Sequence, residues 1–283
     1  MKLKDPDNLF DVSGKIVLVT GGARGIGLMI AEAFCRRGCT VIISSRKKEA
    51  CAAAAARLSE LHSSGRCIAL PEDLSTDAGC RRLAAAVAEQ VDRLHVLVNN
   101  SGTSWGQPME EYAEKGWGRV MALNVVAPFQ LTRALLPLLD AAAANSNNDP
   151  SRVINIGSIS GLQHQPFPTY AYDTSKAAIH ALTRKLAAEL ARRAESKAAI
   201  TVNCVAPGYV PTDMSAQLAT YADADDVQES IPLRRWGRAD DMAGAVLYLS
   251  SKAGAWVTGA ILPVDGGQLA APLQVGASPR AKL

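Results

Sequence analysis

The segment KIVLVTGGARGIGLMIAEAFCRRG, Lys15 to Gly38, changes its periodicity at a cluster of glycines. A short β-branched run ends at Thr20. Gly21, Gly22, Gly25 and Gly27 follow, and apolar residues then recur at helical spacing until Gly38. The pattern is strand, tight turn, helix. It recurs as TVIISS with an Ala-rich helix through Leu61, as CIALPED with a helix near Ala78 to Val91, and as LHVLVNNSG followed by a loop. Strands that alternate with helices must all run the same way, so the chain is expected to be α/β, a doubly wound parallel sheet with helices on both faces.

The remaining chain extends the pattern. A long helix is expected over Trp117 to Ala143, ended by the polar loop NSNNDPS at Asn145 to Ser151. The strand RVINIGS, the helix AYDTSKAAIHALTRKLAAELARR and the strand AITVNCVAP come next. A less regular stretch (Gly208 to Arg235), a helix around Asp240 to Leu249 and the strand GAILPVDGG complete about seven strands. No composition break divides them, so a single Rossmann-type domain is expected over residues 1–267. Residues 1–14 read as an N-terminal extension and 268–283 as an exposed tail.

Composition narrows the function classes. With 48% hydrophobic residues in 283, the chain can bury a large core and is not a disordered one. Its net charge of +3 comes from scattered basic residues, which argues against nucleic acid as a partner and for a small molecule. No run of eighteen apolar residues occurs, and MKLKDPDNLFDVSGK lacks the apolar core of a signal peptide, so a soluble, unsecreted protein with no membrane partner is expected. Cys35, Cys39, Cys51, Cys67, Cys80 and Cys204 have no metal-ligand spacing, which predicts a reducing compartment and no metal site.

TGGARGIG, at Thr20 to Gly27, closes the first strand and opens the first helix. There, backbone amides and the positive helix end can face a pyrophosphate, with Gly21, Gly25 and Gly27 as the positions where a Cβ would obstruct the approach. The second strand ends ISSRKK, where a binder of the unphosphorylated dinucleotide would carry an acid for the ribose 2′-hydroxyl. Ser45 and Arg46 stand there instead, and Arg46 with Arg24 can clamp a 2′-phosphate. NADPH is therefore favoured over NADH.

In YAYDTSK, Tyr172 lies four residues before Lys176, on one helix face, whereas Tyr170 lies six before it and points elsewhere. A phenol titrates near pH 10, so general acid chemistry near neutrality asks for a shift of about three units. A neighbouring ammonium group is the expected source. Ser158, at the end of RVINIGS, reaches the same sheet edge and can hold a carbonyl oxygen. Asn124, inside a predicted helix where asparagine is a poor helix former, offers a side chain able to anchor a water.

These motifs together resemble the classical short-chain dehydrogenase/reductase family, from about Lys15 to Gly267. The likeness rests on TGxxxGIG (with Ile26 between its last two glycines), Asp73-Leu74, NNSG at Asn99 to Gly102, the tetrad Asn124, Ser158, Tyr172 and Lys176, and PGYVPT at Pro207 to Thr212. The resemblance implies that Asp73 and Leu74 contact an adenine, that Asn100 and Gly102 lie along the cofactor, and that Pro207, Gly208, Val210 and Thr212 flank the nicotinamide, with Val210 and Thr212 holding its carboxamide. It further implies that Tyr172 protonates a carbonyl oxygen oriented by Ser158. Lys176 would bind the ribose and acidify Tyr172, and Asn124 would position a relay water. A homotetramer built on the two long helices is implied in the same way.

NNSGTSWG, YAYDTSKAA and IPLRRWGRADDMA look most like 3-oxoacyl reductases, so a 3-oxoacyl thioester is the first expected substrate. Ser104, Trp105, Gln163, Phe167, Tyr209, Met214 and Leu218 are the expected pocket residues. A sugar, polyol or xenobiotic ketone on the same fold, and a dinucleotide-binding protein without turnover, are the alternatives. A serine hydrolase is set aside, because the centre of GSISG is Ile159 and not a serine. Ala281-Lys282-Leu283 resembles a C-terminal peroxisomal address; without such use the expected location is the cytoplasm.

Overall fold

The computed structural model describes residues 7–61, 65–144, 149–191, 199–216 and 224–271. In chain order the elements are β1 (Ile16–Thr20), α1 (Gly25–Cys35), β2 (Thr40–Ser44), α2 (Lys48–Ser59), β3 (Arg66–Ala69), α3 (Asp77–Gln90), β4 (Val96–Asn99), α4 (Glu114–Met121), α5 (Ala127–Ala144), β5 (Ser151–Ile156), α6 (Tyr170–Leu190), β6 (Ile200–Pro207), α7 (Ala224–Ser230), α8 (Ala239–Ser250) and β7 (Ile261–Val264). The strands form one parallel sheet in the order β3-β2-β1-β4-β5-β6-β7. Winding reverses between β1 and β4, which opens a crevice at their carboxyl ends.

Burial on both faces explains why the strands read as continuous apolar runs. In β1, Val17 and Val19 pack toward Ile30 and Phe34 of α1 and Leu58 of α2, while Leu18 points the opposite way, toward Leu83 of α3 and Leu131 and Leu135 of α5. At the amino ends of the strands Asp149 pairs with both Lys15 and the fully buried Arg152. Arg152 also donates to Ser251 O at 2.7 Å and so secures the end of α8.

The long helix expected over Trp117–Ala143 begins earlier, at Glu114, and is interrupted by a π-helical segment, Ala122–Val126. In an unbroken α-helix the carbonyl of Asn124 would accept from residue 128, and Pro128 has no N–H to give. Ala127 N instead donates five residues back, to Ala122 O. By length and composition the stretch Glu114–Ala144 is apolar enough to cross a membrane, yet it packs against α3 and α6 as a helix of the core layer.

Both ends of the domain make tertiary contacts. Val12, in the N-terminal extension, is buried in the core, and Leu9 O accepts from Ala253 N. Gln268–Ala270 forms a 3-10 turn whose Gln268 Oε1 accepts from Tyr209 N at 3.2 Å. The short helix α7 lies within the stretch expected to be irregular. Leu218 and Ala281 to Leu283 fall outside the described residues.

Candidate active site

The glycine turn, Asn100, Ser158 and the Pro207–Thr212 segment all follow strands at the same sheet edge, and α6 brings Tyr172 and Lys176 to it. Gly21 and Gly25 have φ of +66° and +52°, in the left-handed region where a side chain is strained. A Cβ on Gly27 would lie 2.4 Å from both Asn100 Nδ2 and Gly21 O. This glycine is therefore required by the approach of Asn100, whose Nδ2 donates to Thr20 O at 2.8 Å. Thr20 Oγ1 completes the clamp by accepting from the amides of Asn100 and Ser101, both at 2.9 Å.

The positive end of α1 carries no side-chain cap and no acid in its first turn. Its amides thus face the crevice with the charge an anion requires. Arg24 Nη1 lies 2.9 Å from Asp213 Oδ2, in an ion pair of two exposed side chains. The loop after β6 lies against the turn, where a Cβ on Gly25 would sit 3.4 Å from Thr212 Cγ2. Arg46 is exposed just beyond β2, beside the partly buried Ser45. Leu74 is buried, and exposed Asp73 accepts from Ser75 N through its carboxylate.

Ser158 follows β5 and is buried, its Oγ accepting from Ser160 N at 3.2 Å. Its hydroxyl also pulls the pKa of the Tyr172 phenol down. Burial is the larger influence, and it pushes Tyr172 up to about 12. Lys176 Nζ sits 5.4 Å from the Tyr172 ring centroid and donates to Ile156 O at 2.8 Å, and its charge does not offset the burial of the phenol. Burial brings Lys176 itself down to about 8. One turn further on, burial and then the charge of Lys176 lower His180 to about 4, so it adds no second cation at neutral pH. The i, i+4 expectation for Tyr172 and Lys176 is met in position, while the sign of the phenol shift is opposite to that expected because burial is the largest influence on the phenol.

Asn124 is buried in the π-helical segment, but its amide has no hydrogen left for a water. Nδ2 donates to Thr103 O at 2.9 Å and Ser175 Oγ at 3.0 Å, and Oδ1 accepts from Thr103 N at 2.9 Å. The side chain ties the loop after β4 to α6. The group that lacks its helical donor is the main-chain carbonyl, four residues before Pro128. Beneath the site, Asn99 Nδ2 donates to Asn155 Oδ1 at 2.9 Å and Asn155 Nδ2 to Thr183 Oγ1 at 2.9 Å, linking β4, β5 and α6.

Two glycines outside the expected motifs prove equally necessary. A Cβ on Gly157 would lie 2.3 Å from His180 Nε2, and one on Gly161 would lie 2.5 Å from the Lys176 carbonyl carbon. Both let the loop bearing Ser158 press directly on α6. Among the expected pocket residues, Tyr209 donates from its phenol to Gln165 Oε1 at 3.1 Å, bridging the loops after β5 and β6. Ser104, Gln163 and Phe167 are partly buried in the loops after β4 and β5, and Met214 is exposed. Trp105 is turned into α4, where a Cβ on Gly116 would meet its ring at 2.8 Å, and its Nε1 donates to Gln107 Oε1.

The profile of a family described as Enoyl-(Acyl carrier protein) reductase matches residues 21–268. The rhamnolipids biosynthesis 3-oxoacyl-[acyl-carrier-protein] reductase of Pseudomonas aeruginosa is 47% identical over 259 residues, covering 91% of this chain and 97% of that protein. The chain belongs to the short-chain dehydrogenase/reductase family. A second relative within reach of this short-chain dehydrogenase/reductase is the galactitol 2-dehydrogenase (L-tagatose-forming) of Cereibacter sphaeroides, 36% identical over 93% of this chain and 98% of that one. Among solved structures, the RhlG/NADP active-site complex of Pseudomonas aeruginosa superposes with a TM-score of 0.85 at 46% identity, covering 92% of this chain and 98% of the other.

Proposed function

We propose that the protein is an NADPH-dependent oxidoreductase that reduces a carbonyl to a secondary alcohol, with a 3-oxoacyl thioester as its substrate. The observation that carries this reading is the gathering of Ser158, Tyr172 and Lys176 at the sheet edge that bears a glycine cradle and an uncapped helix end. The identity to a 3-oxoacyl reductase and the fold shared with an NADP complex support it. The cradle fits a dinucleotide: Gly21, Gly25, Ile26 and Gly27 would take the pyrophosphate, with Arg24, Ser45 and Arg46 at the phosphorylated ribose. Asp73 and Leu74 would flank the adenine, Asn100 and Gly102 would lie along the chain, and Pro207, Gly208, Val210 and Thr212 would border the nicotinamide. When bound, the dinucleotide supplies a hydride.

The remaining chemistry belongs to the chain. Ser158 donates to the carbonyl oxygen and holds it. Tyr172, protonated at neutral pH because burial holds its pKa high, gives its proton to that oxygen as negative charge develops there. Lys176, charged below about pH 8, then stabilises the phenolate by its field. A buried phenol needs the ammonium group after the proton has left, when the site would otherwise hold an unpaired anion. The complete Ser158 and Tyr172 pair favours reduction of a carbonyl over a C=C bond.

A sugar or polyol substrate is the second reading, favoured by the relation to a galactitol dehydrogenase. NADPH oxidation measured across acetoacetyl thioesters, diketones, keto-sugars and quinones separates the two. Tyr172→Phe is expected to lower carbonyl reduction by about 10²- to 10⁴-fold while leaving NADPH binding within about twofold; equal turnover by wild type and variant would refute the assignment. The proposed assembly is a homotetramer built on the long helices, to be checked by sedimentation. For location, Ala281-Lys282-Leu283 supports a peroxisome-type organelle, and an unchanged distribution of a tagged protein lacking those three residues would return it to the cytoplasm.

A further inference from the structure

The catalytic helix α6 begins without the cap that its sequence offers. Thr169, at the N-cap position, makes no side-chain capping bond; its Oγ1 donates instead to Asp173 Oδ1 at 3.1 Å. The first amides of a helix have no partner within it and must find one elsewhere. For Ala171, the residue just before Tyr172, that partner is the phenol of Tyr112, which accepts from Ala171 N at 3.1 Å. The same phenol donates its hydrogen to Trp105 O at 3.0 Å. One hydroxyl thus joins the loop after β4 to the turn of α6 that carries the proton donor.

The ring of Tyr112 is fixed on both sides. It meets Tyr170 edge to face at 5.1 Å and Trp117 at 6.0 Å. The segment it holds is itself stiffened: Gln107 Oε1 accepts from Trp105 Nε1 and Ala113 N, and Gln107 N donates to Pro168 O at 3.1 Å. Two links therefore run from this segment to the entry of α6, and of these two it is the phenol that reaches the helix itself. No such arrangement follows from spacing, since Tyr112 lies 59 residues before Ala171.

We infer that Tyr112 is a positioning residue for carbonyl reduction, its phenol setting the distance between the substrate loop at Ser104 and Trp105 and the Tyr172 hydroxyl. The inference rests on the proposed reductase reading. Tyr112 touches no reacting atom and acts through Ala171 N and Trp105 O. Proton transfer to a held carbonyl tolerates little displacement, so loosening this joint is expected to slow the chemical step while leaving the dinucleotide cradle, held by the separate bonds between Thr20 and Asn100, as it was.

The test is Tyr112→Phe, which keeps the ring contacts and removes only the hydroxyl. In the full-length protein, kcat for the best carbonyl substrate is expected to fall by about 10- to 100-fold, with the Kd for NADPH within about twofold and a larger primary isotope effect from deuterated NADPH. Hydrogen exchange of the Ala171 amide, measured without any substrate, is expected to quicken in the variant. A purely structural role would lower the melting temperature and leave kcat and the isotope effect unchanged, which overturns the inference. An unchanged exchange rate at Ala171 overturns it as well. Should the wild-type protein reduce no carbonyl while Ala171 exchange still quickens, the reductase reading falls and the joint between loop and helix stands.

Discussion

Gly161 offers the sharpest test of how the site is assembled. A methyl group added there would lie 2.5 Å from the Lys176 carbonyl carbon, 2.6 Å from its oxygen and 2.7 Å from Ala177 N, all backbone atoms that cannot rotate away. Ordinary contact begins near 3.4 Å, so Gly161→Ala must move the turn after β5 away from α6 by about 0.9 Å. Overpacking of this kind costs about 1–3 kcal/mol, which lowers the melting temperature by about 2–10 °C in a chain of this size. Catalysis should suffer more, because the same shift withdraws Ser158 from Tyr172, and a displacement of about 1 Å is enough to cost about a hundredfold in rate. Steady-state kinetics with a carbonyl substrate and a thermal melt measure both. A variant that loses several degrees yet keeps kcat within twofold would show that the contact between turn and helix does not set the distance from serine to tyrosine.

Three other outcomes are expected. Replacing Arg46 by Ala should weaken NADPH by about 10- to 100-fold and leave NADH nearly unaffected, as the loss of a charged hydrogen bond to phosphate implies; parallel fluorescence titrations of the two dinucleotides check it. The alkaline limb of kcat/KM should lie near pH 8, where Lys176 loses its charge, and not near 12, where Tyr172 titrates; Lys176→Arg should move it upward, and a limb unmoved by that change assigns it elsewhere. The sign for folding is the opposite one. With its pKa held below the usual 10.5, Lys176 binds fewer protons folded than unfolded, so its burial costs stability in full at and below about pH 8, and that cost is relieved as pH rises from about 8 to 10.5. Asn124→Ala strands Thr103 N, Thr103 O and Ser175 Oγ, and should cost about 1–3 kcal/mol in a denaturant melt together with carbonyl reduction.

The elements legible in the amino-acid order are those whose cause is local. β1, β2, β4 and β5 are short β-branched runs, and the first glycine turn lies where periodicity changes. Tyr172 and Lys176 share a face because the helical repeat requires it. What escaped depends on partners distant in the chain. The π-helical segment does have a local signal in Pro128, four residues after Asn124, but the commitment of the Asn124 amide to Thr103 and Ser175 does not. Trp105 looks like a pocket aromatic until Gly116 is seen to make room for it. The pairing of Arg24 with Asp213, 189 residues away, has no local signal either. The direction of the Tyr172 shift depends on burial, which a helical repeat does not reveal.

The strand order has a consequence for how the chain comes to be folded. β1 at residues 16–20 sits beside β4 at 96–99, which in turn needs β5 at 151–156. No amino-terminal fragment short of β5 can complete the central pairings, so the polypeptide must close loops of fifty to eighty residues before those contacts repay their entropy. A nascent chain emerging from the ribosome therefore holds one edge of β4 unpaired until more than half of it has been synthesised, the interval in which a chaperone has most to protect.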